Sequence, residues 1–225
     1  QQPQRDPATP PSTQTPGAPP PVETPPTRAP DTPPPPVAPP EHRGFGSRLL
    51  ELAQAAGWKV SFDVNYRGKL WTLEAARTGC ERFMQAADVI FLPLRDALNI
   101  YGYRNDEDAK AVLDDLGRRY PQATVAMTLG EGGALARRPD GAIAHHPIFQ
   151  AAAVSRLGRG DAFTAGFLYR WLEAADDIQG ALRWGTAMAA LKYGITGDMP
   201  LVEKAEAQAL VERGALGRAT LGSTP

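Results

Sequence analysis

Seventeen of the 23 prolines in this 225-residue chain lie within its first 40 residues, in runs such as 19–21 and 33–36. Proline donates no backbone hydrogen bond and fixes φ, so helices and sheets are closed to such runs. The stretch also lacks aromatic and large aliphatic residues, and it cannot bury enough apolar surface to offset its ordering entropy. Residues 1–45 are therefore expected to be a disordered, proline-rich segment or fluctuating polyproline II. Residues 46–218 carry the mixed composition of a folded domain, long enough for a sizeable core, and residues 219–225 are expected to form a tail. The chain opens on Gln1 and not on methionine, so an upstream piece is expected to be missing.

Charge narrows the function classes. Lys and Arg number 24 against 25 Asp and Glu, a formal net charge of -1, and they are scattered along the chain. This speaks against nucleic acid or an anionic membrane as partner. The single cysteine, Cys80, excludes an internal disulfide, and His42, His145 and His146 lack zinc-site spacing. No apolar run approaches the ~20 residues that span a bilayer, and the N-terminus has no signal-peptide core. A reduced, cytoplasmic protein is expected.

From Gly46 onward helix and strand signals alternate. Helices are predicted over residues 49–56, 74–87, 96–101, 106–119, 160–174, 178–193 and 203–213, from apolar spacing with glycine stops such as Gly57 and Gly102. Strands are predicted over residues 59–63, 88–92 and 123–129, followed by strand-like pieces at 134–138 and 142–146 around the turn Pro139-Asp140-Gly141. The alternation implies an α/β fold with a mostly parallel sheet covered by helices on both faces. Ligands of such sheets collect at the carboxyl ends of the strands.

The sharpest local pattern is Gly158-Arg159-Gly160-Asp161, opening an apolar helix that continues to Gly166. Amides at a helix start, with the helix dipole, make an anion cradle that glycines leave open to a phosphate. An Asp beside the cradle can take a proton from an attacking hydroxyl. Equally, an Asp at this point is a common helix cap, and Gly-x-Gly-Asp alone does not decide between the two. A second glycine-rich turn, Thr128-Leu129-Gly130-Glu131-Gly132-Gly133, follows a strand and taken singly is an ordinary hairpin. Asp63-Val64-Asn65-Tyr66-Arg67 gathers polar side chains after another strand, with Arg67 offering a planar fork to a carboxylate or phosphate. Gly197-Asp198-Met199-Pro200 adds a late glycine turn.

Together, in this order over residues 47–218, the stretches 62–71, 128–133, 158–166 and 191–202 resemble the PfkB-type (ribokinase-like) carbohydrate kinases, most closely the 2-keto-3-deoxygluconate kinases. The resemblance implies a ribokinase-like fold and ATP-dependent transfer of a γ-phosphoryl group, helped by Mg²⁺, to a sugar or sugar-acid hydroxyl. By the same resemblance Asp161 is the catalytic base, and Gly158, Arg159 and Gly160 form the anion hole. Thr128, Gly130 and Gly133 would contact ATP, while Asn65 and Arg67 would face the phosphates and an acidic sugar. The resemblance also implies that full-length relatives can pair as homodimers, often through a lid.

The sequence departs from that pattern at four points. Arg159 stands where the family carries alanine. Ser155 replaces the acid of the family's monovalent-cation site, which puts that cation in doubt. Of the segment linked to Mg²⁺ only the carboxylate of Asp96 remains. The proline-rich tract occupies the place of the N-terminal half, with its sugar-binding motif and lid. A C-terminal half alone is expected to be inactive or impaired, because an open site admits water, and to leave an unpaired sheet edge. The competing expectation is a non-catalytic nucleotide-binding or scaffold module whose proline-rich arm recruits a partner with an aromatic-lined groove.

Overall fold

The computed structural model describes residues 43–151 and 154–221, with backbone alone at residues 43 and 215–221. The proline-rich stretch therefore lies outside the described residues up to Glu41 and His42. Helix α1 (Arg43–Ala55) begins three residues before the expected boundary at Gly46. At the other end α7 (Lys204–Leu221) continues through Gly214 and Gly217, so the expected tail is helical as far as residue 221. An internal glycine costs a helix only about 1 kcal/mol, too little to stop it there.

Between these ends lie β1 (Ser61–Asp63), α2 (Leu73–Ala86), β2 (Val89–Phe91), α3 (Leu94–Tyr101), α4 (Ala109–Arg119), β3 (Thr124–Thr128), β4 (Ala134–Arg137), β5 (Ile143–His146), α5 (Arg159–Glu173) and α6 (Ile178–Tyr193). Side chains cap three of the helices. Thr72 accepts from the Ala75 amide at 3.2 Å, Asp108 from Ala111 at 3.3 Å, and Asp177 from Gly180 at 2.8 Å. Each satisfies an amide that the helix itself leaves without an acceptor.

The five strands form one sheet in sequence order. β1, β2 and β3 are parallel, with Ser61 opposite Val89 and Val89 opposite Thr124, whereas β3–β4 and β4–β5 are antiparallel. The sheet is thus mixed, three parallel strands continued by an antiparallel pair. A parallel neighbour needs a long crossover, and after β3 the chain reverses through two short turns instead. The second is closed by Arg138 N–H to the Ala142 carbonyl at 2.9 Å and by Ala142 N–H to Asp140 Oδ1 at 3.1 Å. At the other edge β1 pairs on one side only among the described strands.

Alternation along the strands divides the core in two, since successive side chains point to opposite faces. Ile90, Val125, Met127 and Leu135 join Cys80 and Met84 of α2, Ala97 and Ile100 of α3, and Val112, Leu113 and Leu116 of α4. On the other face Val89, Phe91, Ala126, Ala134 and Ala136 meet Phe163, Phe167 and Trp171 of α5 and Ala181 and Leu182 of α6. Phe91 is wedged edge-on between Phe163 and Phe167, at centroid distances of 6.3 and 5.4 Å. Small alanines on the sheet leave room for these rings, and the rings hold α5 against the strands. That packing fixes the start of α5 beside the carboxyl ends of β1 and β2.

Candidate active site

Three strand ends and one helix start meet at a single sheet edge. Asp63, Phe91 and Ala126 are aligned across β1, β2 and β3, so the chain leaves all three parallel strands on the same side. Asp96 enters α3 just past β2, Thr128 ends β3, and Asp63 ends β1. From α5 the Thr164 hydroxyl donates to Asp63 Oδ2 at 3.4 Å, bringing the helix's first turns to that edge.

The start of α5 differs from the capped helices. Its N-cap is Gly158, at φ 72°, and no side chain caps it. Asp161 is the third residue of the helix and is exposed, as is Gly160. Among the described residues no side chain caps the start of α5. Such a helix start favours negative charge on a ligand. A Cβ at residue 158 would run into the Asp198 carbonyl oxygen, and Lys192 Cε lies 3.3 Å from where it would sit. Glycine here is required both by the left-handed backbone and by the close approach.

The loop leading to Gly158 is tied to the end of α6. The amides of Val154 and Ser155 both donate to the Tyr193 carbonyl, at 2.9 and 3.1 Å, and Leu157 N–H reaches Ser155 Oγ at 3.3 Å. Arg159 turns its guanidinium over the Tyr193 ring, 5.3 Å from the centroid. This stacking gives the long cation that replaces alanine a resting place on α6. Its amide stays in the α5 turn.

Asp63 and Asp161 form an acidic pair with a polar fringe. Asp63 Oδ1 accepts from the Asn65 amide at 3.0 Å, a short turn in which Asn65 takes φ 40°. Asn tolerates this left-handed conformation better than most residues. Burial is the main cause that raises the Asp63 carboxyl above its ordinary value, and the Asp161 charge adds to it. The Asn65 and Thr164 hydrogen bonds and the Arg67 charge work the other way. Arg67 itself is exposed.

The remaining expected residues sit at the same edge without touching this cluster through any hydrogen bond among the described residues. Residues 128–133 form a tight reversal: Thr128 is opposite Ala134, Leu129 N–H donates to the Gly133 carbonyl at 2.8 Å, and Gly130–Gly132 is a single 3₁₀ turn. At Gly133, φ 87°, a Cβ would collide with the His146 carbonyl oxygen. Asp96 is buried, its carboxylate held by Arg95 Nε at 3.1 Å. Among the described residues no group of three or more His, Cys, Asp or Glu gathers that could hold a metal ion by itself.

Three participants carried no role in the sequence reading. Thr164 follows Asp161 by three residues, and that spacing on a helix puts both on one face. Asp63 stands at a strand end before Asn65, but its partners come from across the fold. Lys192 is fully buried, and its Nζ donates to the carbonyls of Ile195 at 3.0 Å and Gly197 at 2.8 Å.

The family model described as "pfkB family carbohydrate kinase" matches residues 43–205. The chain belongs to this family. A 2-dehydro-3-deoxygalactonokinase of Haloferax volcanii is 37% identical over 169 residues, which are 75% of this chain and 52% of that protein. Among solved structures, the 2-dehydro-3-deoxygluconokinase of Thermotoga maritima superposes with a TM-score of 0.68 at 26% identity, covering 76% of this chain and 55% of that one. The fructokinase of Vibrio cholerae O395 was solved with fructose, ADP and a calcium ion and, in a double mutant, with fructose, ADP and a potassium ion. Its TM-scores are 0.65 and 0.64, at 25% and 26% identity, covering 74% of this chain and 55% and 54% of theirs. The chain thus has the ribokinase-like fold of sugar kinases, and it spans about half the length of the relatives it matches.

Proposed function

We propose that this chain supplies the nucleotide-binding and catalytic part of an ATP-dependent kinase for a 2-keto-3-deoxy sugar acid. The observation that carries the reading is the uncapped start of α5, with exposed Asp161 one turn inside it and Asp63 beside it. In-line phosphoryl transfer needs little covalent chemistry from the protein and much positioning and charge stabilisation. Asp161 accepts the proton of the sugar hydroxyl as it attacks, and the amides at residues 158–161 receive the charge developing on the transferred group. Asp63 and Thr164 fix the setting of that base. Arg67, exposed beside Asp63, is the side chain suited to the carboxylate of a sugar acid.

The donor set fits Mg²⁺ held together with a nucleotide. This ion keeps several waters and takes one or two carboxylates plus substrate phosphates, so a three-carboxylate cluster is not required; Asp63 is the carboxylate beside the cradle, and the buried Asp96 would have to exchange its Arg95 partner to serve as a second. When bound with ATP the ion would neutralise phosphate charge. Thr128, Gly130 and Gly133 are assigned to the nucleotide by their position at the end of β3, on the same edge as the cradle. Folded residues 43–218 thus act as one catalytic domain, with the acceptor-binding part contributed by a half that the matched relatives have. A buried free thiol, Cys80, suits the reducing cytoplasm.

The test is complementation. The chain is mixed with the N-terminal half of the Haloferax volcanii relative and supplied with ATP, Mg²⁺ and 2-keto-3-deoxygluconate. Sugar-dependent ADP release by wild type and not by Asp161→Asn is the expected result. Equal rates for the two proteins would remove Asp161 from the chemistry. A second reading, a nucleotide-binding module without transfer activity, is favoured by the half-length match and would give nucleotide binding with no transfer in this assay.

A further inference from the structure

Lys192 breaks a rule of protein interiors. It is fully buried, and among the described residues its partners are two main-chain carbonyls, not a carboxylate. Taking an ammonium out of water is unfavourable unless a counter-charge or hydrogen bonds compensate it. Leucine or methionine would fill the same space at the end of α6 without that cost. A lysine kept in such a place implies a use for its charge, and the neighbourhood shows what the charge serves. Its Cε is 3.3 Å from the Cβ position of Gly158, the residue that starts α5. Its two acceptors, Ile195 and Gly197, flank the loop whose next carbonyl, at Asp198, closes on that same glycine. The lysine therefore sits directly behind the anion cradle and gathers the carbonyls that would otherwise point their negative ends toward it.

Main-chain carbonyls converging on one point, here those of Ile195 and Gly197, are also what a free monovalent cation would occupy, and Ser155, on the loop leading to Gly158, brings no carboxylate to hold one. We propose that Lys192 is the built-in cation of this cradle: its ammonium takes the place of a free monovalent ion, orders residues 195–198 against Gly158, and offsets part of the phosphate charge. The proposal rests on the kinase reading, since it takes the anion to be a nucleotide phosphate. Lys192 touches neither substrate nor reacting atoms and is a positioning residue.

The test combines Mg·ADP titration calorimetry with thermal unfolding of the full chain. Both are run in potassium chloride and in N-methylglucamine chloride at equal ionic strength, a cation too large for a carbonyl ring. Wild type is expected to bind ADP equally in the two salts. Lys192→Met, neutral and of similar volume, should bind at least ten-fold more weakly in both. Lys192→Ala should be weak in N-methylglucamine and recover several-fold in potassium or methylammonium. Wild-type binding that falls several-fold without potassium, or unchanged binding by Lys192→Met, would overturn the proposal. If wild type binds no ADP in either salt, the kinase reading fails separately and the melting arm decides. A midpoint raised specifically by potassium in Lys192→Ala but not in wild type supports the tethered cation, and the same midpoint response in both proteins overturns it.

Discussion

The two glycine-rich turns look alike in sequence, yet their surroundings differ in kind. Gly133 and Gly158 both have positive φ, and at both a methyl group would strike a main-chain carbonyl oxygen. Around Gly133 the partners are those of a hairpin: a 3₁₀ turn whose one acid, Glu131, faces solvent, and His145 Nε2 at 2.8 Å from the Gly132 carbonyl. Around Gly158 they are charged. Asp161 in the helix's first turn interacts with Asp63, the buried Lys192 reaches Gly158, and no side chain caps the helix. Glycine content therefore reports a tight backbone, and the charges packed around it report chemistry.

The largest effect that would break this contrast is on catalysis. In the complemented enzyme Asp161→Asn should lower the transfer rate by about 100- to 10,000-fold, read as initial rates of ADP release, while ADP affinity stays within a few-fold. A modest loss of rate would make the turn at Gly158 no more catalytic than the one at Gly133.

Stability comes next. Gly158→Ala meets both strain and the Asp198 carbonyl, whereas Gly130→Ala has a strained φ of 64° and nothing within 4 Å. The left-handed conformation alone costs a non-glycine residue about 1–2 kcal/mol, so Gly130→Ala should lose about that much. Gly158→Ala should lose clearly more, because backbone must move. Urea midpoints of the two variants make the comparison, and equal losses would mean that residues 195–198 do not brace the cradle.

The smallest expected effect is a pH dependence. The folded state raises the Asp63 carboxyl, so the stability tied to its protonated form is complete below the ordinary aspartate range near ~4 and is lost as pH rises through the elevated value. Asp63→Asn removes that loss. Its stability relative to wild type should increase as pH goes from acid to neutral, and the increase should shrink in an Asp161→Asn background, where one raising charge is gone. A flat difference across pH would separate the two carboxylates electrically.

Much of the fold was legible from local pattern. The bounds of α6, the glycine stop at Gly102 and the strand within residues 123–129 follow from spacing that neighbours in sequence dictate. The mixed sheet was half visible: the Pro139-Asp140-Gly141 turn announced a hairpin, but nothing local fixed how many pairings would be antiparallel. In the site, Asp161 and its glycines could be read because helix-start chemistry is local. Thr164 bonding to Asp63 spans 101 residues, and Lys192 meets Gly158 only after α5 and α6 pack together. Such partners depend on tertiary placement, and no short motif carries them.

The central claim is that the charged turn at the start of α5 belongs to a nucleotide site that this chain builds unaided. Isothermal titration of Mg·ATP into the purified chain, its folding verified by circular dichroism, tests it most directly. Saturable binding in the micromolar range, kept in Asp161→Asn, is the predicted result. A folded chain that gives no heat with Mg·ATP would contradict the claim and leave an inherited kinase fold without its ligand.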